Sequence, residues 1–485
     1  MVSLRFSFIA ALVTLSIATP TDRSALLVHE HRAQPARGFV STGPAPSDAE
    51  LTLRIALNPN NIAGLESELY AVSDPSSSRY GQYLTPEDVA EYVKPTSDAL
   101  SAVTSWLQKN KISATTISPA GDFSVFTHST TDETTIRTLQ YSLPVELSAA
   151  VAYIHPTTTF SRPFAAPKSQ PLPSNSKRDI DPTCADITTI SCLQVEYGIP
   201  TTSATQTNNV LGVSAYDNEF ANFNDLKQFL AEYRPDLPAT TKFDVELLDG
   251  GSNTQITGFA GVEASLDIDY TVGAASGVPV KFISVGPLNN DTVSGFLDQI
   301  NALISDPSRP TVLTTSYGAD EEDMTLPVAQ GLCNAYAQLG ALGTSILFAS
   351  GDGGVAGNEF ECTTFVPTAP STCTSVTSIG SSQRFWKTLP RTTFPKSARH
   401  FLREVCFLSL FLLHCDLSAL VGFSNYFEAP AYQKGDVDAY ISSLGDTYSG
   451  LFNTTGRGFP DVSAEGVNFV VVSDCRGFRR SAPSV

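Results

Sequence analysis

The sequence predicts an α/β protein in which a parallel sheet with helices on both faces follows a small α+β domain. Beyond residue 179, apolar runs of strand length alternate with amphipathic stretches, the pattern of strand–helix–strand units. Residues 50–145 show a different arrangement, with two alternating strand patterns flanking helical segments. Between the two regions, residues 160–176 are rich in proline and serine and lack periodicity, as an exposed linker would.

The chain opens with Met1–Arg5, an apolar run from Phe6 to Ile17, and the small residues Ser16 and Ala18 before Thr19-Pro20. One positive charge, a run too short for a bilayer and a small-residue end predict a signal peptide over 1–18 and hence a secreted, extracellular protein. A buried first helix is the alternative. The first domain is placed at 19–155: a strand at Leu51–Leu57, a helix from about Ile62, further helices through Trp106, and a strand near Asp122–Thr127. The linker over 156–178 ends in Lys177-Arg178, a dibasic pair where a processing protease could cut, although such a pair is also ordinary solvated charge.

Residues 179–485 form the second domain. Val210–Ser214, Val280–Val285, Thr311–Ser316 and Ser345–Ser350 read as buried strands, with helical segments near 222–233, 261–275, 291–304 and 325–342. In such a sheet, functional groups gather at the carboxyl ends of the strands.

The 485 residues hold 30 Lys and Arg against 49 Asp and Glu, a net charge of −19. That balance argues against nucleic acid or an anionic membrane as a partner and suits work at low pH. Secretion permits disulfides among the eight cysteines. Cys184 with Cys192, and Cys362 with Cys373, are the expected pairs; Cys333 sits within a helical pattern and reads as a core residue. Asn290-Asp-Thr and Asn453-Thr-Thr are glycosylation sequons.

Candidate chemistry lies in Gly261-Val-Glu263-Ala-Ser-Leu-Asp267, where four-residue spacing puts two carboxylates on one helix face. Two carboxylates held close do not both ionise easily, which makes an acid or base suited to acidic pH. The same spacing also occurs on solvated helix faces. Ser350-Gly351-Asp352-Gly353-Gly354 follows a buried strand, and a protonated carboxyl there could donate to a developing oxyanion. The histidines are His29, His31, His128, His155, His400 and His414, so the core between 179 and 383 has none. A Ser-His-Asp triad or a histidine-based zinc site is therefore excluded there. Carboxylate chemistry leaves a peptidase or a two-acid glycosidase, and a pair placed side by side on one helix favours the peptidase.

Gly-Val-Glu263-Ala-Ser-Leu-Asp267, Ser316-Tyr-Gly318, Ala349-Ser-Gly-Asp352-Gly, Gly458-Phe-Pro-Asp461-Val-Ser-Ala, Val72-Ser-Asp-Pro-Ser and Tyr80-Gly-Gln-Tyr-Leu84 together resemble the sedolisins, the serine-carboxyl peptidases, from about residue 45 to 383 and again from 422 to about 472. The resemblance implies a subtilisin-like α/β fold, preceded by a ferredoxin-like propeptide domain that folds and occludes the enzyme. It also implies acid activity on peptide or protein substrates as a tripeptidyl peptidase or endopeptidase, and a calcium site near the C-terminus. The roles it implies fall on Glu263 as general base, Asp267 as its orienting partner and Asp352 in the oxyanion hole.

Two stretches depart from the family pattern. Where sedolisins carry Gly-Thr-Ser-Ala-x-x-Pro, this chain reads Arg476-Gly-Phe-Arg479-Arg-Ser481-Ala-Pro483. Arg479 takes the place of the nucleophile, and Ser481 lies two positions late. The sequence then ends before the region in which the family places its calcium ligands, so neither a nucleophile nor a metal site is assigned. Residues 384–421 are unusually basic and end in an apolar run too short to span a membrane. A translated intron or frame shift, and a surface insertion with an amphipathic helix, are the two readings of that stretch. A catalytically inactive relative that keeps the scaffold is the alternative to an active acid peptidase.

Overall fold

A computed structural model of the chain describes residues 2–4, 25–36, 39–41, 43–46, 51–112, 115–116, 123–125, 136–160, 169–171, 184, 187–286, 292–357, 363–382, 422–474 and 476–480. The chain divides into two compact units, residues 1–161 with 323–342, and residues 162–322 with 343–485.

The first unit is α+β. In chain order it holds β1 (Val2–Leu4), β2 (Leu26–His31), β3 (Leu51–Leu57), α1 (Ile62–Ser73), α2 (Pro86–Val93), α3 (Ser97–Lys109), β4 (Thr115–Thr116), β5 (Phe123–Val125), β6 (Gln140–Pro144) and β7 (Val151–His155). β3 is the hub of an antiparallel sheet, paired with β1, β5 and β7. Leu53, Ile55 and Leu57 are spaced by two and turn one face of β3 onto Val103 and Leu107 of α3. The unit continues past residue 155, where the linker was expected to start. Thr158 and Thr159 are buried, and the Phe160 N–H donates to the Asp323 carbonyl at 2.7 Å. The helix Leu326–Ala341 belongs to this unit, packing on α1 and β7.

The second unit is built on a seven-stranded parallel sheet. Its elements are β8 (Ser169–Pro171), α4 (Ile190–Tyr197), β9 (Leu211–Ala215), α5 (Phe223–Tyr233), β10 (Asp244–Leu248), α6 (Val262–Ala274), β11 (Val280–Val285), α7 (Thr292–Ser305), β12 (Val312–Thr315) and β13 (Ala319–Asp320). After α8 (Leu326–Ala341) come β14 (Ser345–Ala349), β15 (Thr368–Ala369), β16 (Thr377–Ser382), β17 (Gly422–Glu428), α9 (Lys434–Leu444), β18 (Gly456–Phe459), β19 (Val462–Glu465), β20 (Phe469–Ser473) and β21 (Arg476–Arg480). The sheet order is β10-β11-β9-β12-β14-β16-β19. Parallel pairing demands that both faces be covered, and successive residues of β9 show how. Val213 faces a core with Phe229 of α5, Leu266 and Ile268 of α6 and Phe282 of β11. Ser214 faces the other way and accepts a 2.9 Å hydrogen bond from Gln299 of α7. The expected four buried strands are β9, β11, β12 and β14.

Cys184 and Cys192 form the expected disulfide. Cys333 is also disulfide-bonded, which corrects its reading as a plain core residue: lying on a helix did not exclude a cross-link. Cys373 is disulfide-bonded as well, whereas Cys362 lies outside the described residues. So do Lys177, Arg178, Asn290, Ser481, the apolar run 6–17 and residues 384–421. Among the described residues no helix is long and apolar enough to cross a membrane.

Candidate active site

The site is assembled at the carboxyl ends of the central strands. β9, β12 and β14 are neighbours in the sheet, so the residues that follow them converge although they are far apart in sequence. After β9 the chain turns through Asp217 and Asn218, both with positive φ (54° and 57°), and reaches Glu219. After β12 come Ser316 and Tyr317. After β14 comes the loop Ser350–Gly354 with Asp352.

Helix α6 brings the carboxylate pair. Glu263 and Asp267 are each 3 % exposed, so the solvated-face reading of their spacing does not hold. The helical repeat places both on one face, and Ser316 Oγ donates to Asp267 Oδ1 at 2.8 Å. This bond ties Asp267 to the end of β12.

The start of α6 is built around Glu219. Its N-cap is Gly261, which offers no side chain to the first turn. Glu219 Oε2 supplies the missing acceptor, taking the Ala264 N–H at 3.3 Å. A Cβ at residue 261 would stand 1.7 Å from that oxygen, so the close approach requires glycine. A carboxylate at a helix N-terminus is also favoured by the helix dipole.

Tyr317 is buried, and Tyr216 meets it edge-on at 5.3 Å. Burial raises its phenol well above the ordinary tyrosine range, and the charges of Glu219, Glu263, Asp267 and Asp217 add to the effect. Four carboxylates thus converge on one phenol. Sequence reasoning found two of them. Asp217 and Glu219 were missed, and Tyr317 stood only inside Ser316-Tyr-Gly318 without a role, although each follows the end of a recognised strand and that position was the available signal.

Asp352 is half-buried in its loop. Gly351 adopts φ 107°, and a Cβ on Gly353 would lie 1.6 Å from the Gly357 carbonyl oxygen, so the turn cannot be built from side-chain-bearing residues. Arg479 lies in β21, opposite Val470 of β20 and Gln170 of β8. Asn453 is half-buried, and its Nδ2 donates to the Ser424 carbonyl at 2.8 Å. Among the described residues no group of three or more His, Cys, Asp or Glu side chains is arranged to hold a metal ion, so the implied calcium enters no step below.

The description of the Pro-kumamolisin activation domain matches residues 37–128. The chain is 30 % identical to tripeptidyl-peptidase SED2 of Arthroderma otae over 529 residues, covering 99 % of this chain and 84 % of that one. It is also 30 % identical to a probable tripeptidyl-peptidase SED3 of Trichophyton verrucosum, with the same two coverages. Among solved structures it is similar to Pseudomonas sedolisin complexed with pseudo-iodotyrostatin, at 17 % identity and a TM-score of 0.44, covering 62 % of this chain and 76 % of that one. By its sequence relatives the chain is a peptidase by class, a hydrolase preceded by an activation domain. It belongs to the sedolisin family, alongside relatives named as tripeptidyl-peptidases.

Proposed function

We propose that the chain is an acid serine-carboxyl peptidase, made as a secreted zymogen, that hydrolyses peptide bonds with Glu263, Asp267 and Asp352 as its carboxyl groups. The observation that carries this reading is the buried pair on α6, with Asp267 fixed by Ser316 and no histidine in the strand-and-helix core. In this mechanism Glu263 takes the proton from a serine hydroxyl as that oxygen attacks the scissile carbonyl, and later returns it to the leaving amine. Asp267 holds Glu263 in orientation. Asp352, protonated at low pH, donates to the oxyanion of the tetrahedral intermediate, and its glycine turn lets the substrate backbone approach. The 19–155 region acts as an intramolecular inhibitor, released by cleavage after Arg178. N-terminal sequencing of secreted material should give a chain beginning at Asp179, and a start more than a few residues away would refute the dibasic site.

Arg479 favours a second reading for the chain in this form. It occupies the family's serine position, and its backbone is committed to a strand between β20 and β8. With no hydroxyl there, Glu263 has nothing to deprotonate and no acyl intermediate can form. The unaltered 485-residue chain should then cleave no peptide between pH 3 and 7, whereas a form carrying the family's serine in its own sequence context should. Turnover by the unaltered chain that Ser481→Ala abolishes would make Ser481 the nucleophile and overturn this second reading.

A further inference from the structure

Strand β20 has two edges, and only one is fully satisfied by backbone. Its ladder with β21 runs from Phe469 opposite Arg480 to Ser473 opposite Arg476. On the other edge, Thr188 bonds the start of the strand, accepting from Val470 N at 3.2 Å. From there side chains replace a neighbouring strand, the first of them sharing the Val470 N–H with Thr188. Tyr270 Oη takes the Val470 N–H at 3.2 Å, Asp269 Oδ2 takes that of Val472 at 3.1 Å, and Asp225 Oδ2 takes that of Asp474 at 2.8 Å. Residues 470 and 472 point one way along the extended strand, and Asp474, just past its end with φ 52°, also offers its N–H, so three N–H groups meet three acceptors from helices α5 and α6. A buried strand edge must find such partners.

Two of the acceptors are carboxyl groups, and they are buried beside each other. Asp269 is 1 % exposed and Asp225 2 % exposed. Around Asp269, helix α5 contributes Asp225, Tyr233 and Arg234, and Arg234 is spent on Asp236 and the Gly273 carbonyl. Its own helix adds Asp267 and Tyr270, and α4 carries Glu196 and Tyr197. β11 has Lys281, which pairs with Glu246 and Asp306, while β9 has no titratable residue. Asp474 turns its carboxylate to the N–H groups of Gly258 and Ala260. Burial pushes the Asp269 carboxyl well above the ordinary aspartate range, opposed by the Val472 N–H, and the charge of Asp225 pushes it further.

We propose that Asp225 and Asp269 are positioning residues forming a proton-dependent clamp on β20. A proton held on Asp269 keeps β20 seated on the helix that carries Glu263 and Asp267. Loss of that proton leaves a buried negative charge on Asp269 beside Asp225 and releases the strand edge. The clamp closes in acid and opens as pH rises. It does not depend on the roles given to Glu263 or Asp352, and its failure would leave them untouched.

The test is hydrogen exchange of the full chain between pH 4 and 7.5, read by mass spectrometry on the peptide spanning 469–474 and corrected for intrinsic exchange. Protection should fall with rising pH by up to about tenfold per pH unit, the slope for one linked proton. Asp269→Asn copies the protonated acid, since its oxygen still accepts from Val472 and its NH₂ can face Asp225, so the slope should flatten while acid protection persists. Tyr270→Phe should lower protection around Val470 equally at every pH. Protection of the unaltered chain that does not vary with pH overturns the proposal, and so does an Asp269→Asn slope equal to that of the unaltered chain. Should Asp269→Asn fail to fold, the measurement on the unaltered chain and on Asp225→Asn decides it.

Discussion

Ser316 Oγ reaches Asp267 from the end of β12 at 2.8 Å and helps to hold its orientation. Hydrogen bonds to charged groups contribute about 1.5–3 kcal/mol, so Ser316→Ala should lower unfolding stability by roughly that amount and free the carboxylate to turn. Chemical denaturation checks the first effect. In a serine-bearing form, a loss in kcat with KM little changed checks the second. The two α6 carboxylates were legible in the sequence because a helix has a fixed repeat and four residues make one turn. Glu219 and Tyr317 were not. They meet Glu263 through the adjacency of β9 and β12, and sequence spacing carries no record of strand order.

Helix α7 is fixed to the sheet by a polar network rather than by apolar contact alone. Gln299 bridges Ser214 at 2.9 Å and accepts from the Tyr216 hydroxyl, while Thr315 Oγ1 donates to Ser214 at 2.8 Å. All four side chains are buried, so removing the bridge orphans groups that water cannot reach. Gln299→Leu should therefore destabilise the chain by about 1–3 kcal/mol despite its greater hydrophobicity. Tyr216 lies against Tyr317, so the near-ultraviolet circular dichroism of the buried tyrosines should change as well. A variant as stable as the original would show that the network contributes nothing. The periodicity of α7 was readable, but nothing in the sequence marks Gln299 as the partner of Ser214, a pairing set by the way β9 turns Ser214 toward α7. The edge of β20 was hidden for the same reason: a strand completed by aspartates from two helices leaves no alternating pattern.

Across the whole molecule, burial sets the direction of pH dependence. It raises the carboxyls of Asp269 and Glu321, even though Glu321 accepts from Ser424 Oγ and from Asn425 N at 2.7 Å. A carboxyl whose folded pKa lies above its unfolded value binds more protons in the native state. Its stabilising effect is complete below the unfolded value and is lost as pH rises toward the folded one. Asp74, Asp88, Asp236 and Asp306 shift downward through hydrogen bonds from Ser76, Thr85, Arg234 and Ser308, the last with Lys281 beside it, but Asp74 and Asp88 are fully exposed and none of the four is deeply buried, so they oppose this only weakly. Together with a net charge of −19, the buried acids should give a higher melting temperature at pH 4 than at pH 7. Scanning calorimetry at the two values measures this, and greater stability at pH 7 would contradict it. The parallel sheet and its preceding α+β unit were legible at this scale, because apolar runs and their spacing define both. The grouping of 323–342 with the first unit was not, since its helical pattern fits either partner. The central claim is that a buried carboxylate on α6 drives peptide hydrolysis in acid. Its most direct test compares peptide cleavage at pH 4 by a form carrying the family's serine with the same form bearing Glu263→Gln. A single positioned base accounts for roughly 10²–10⁴-fold in rate, so the variant should be slower by that factor, and cleavage at the undiminished rate would contradict the claim.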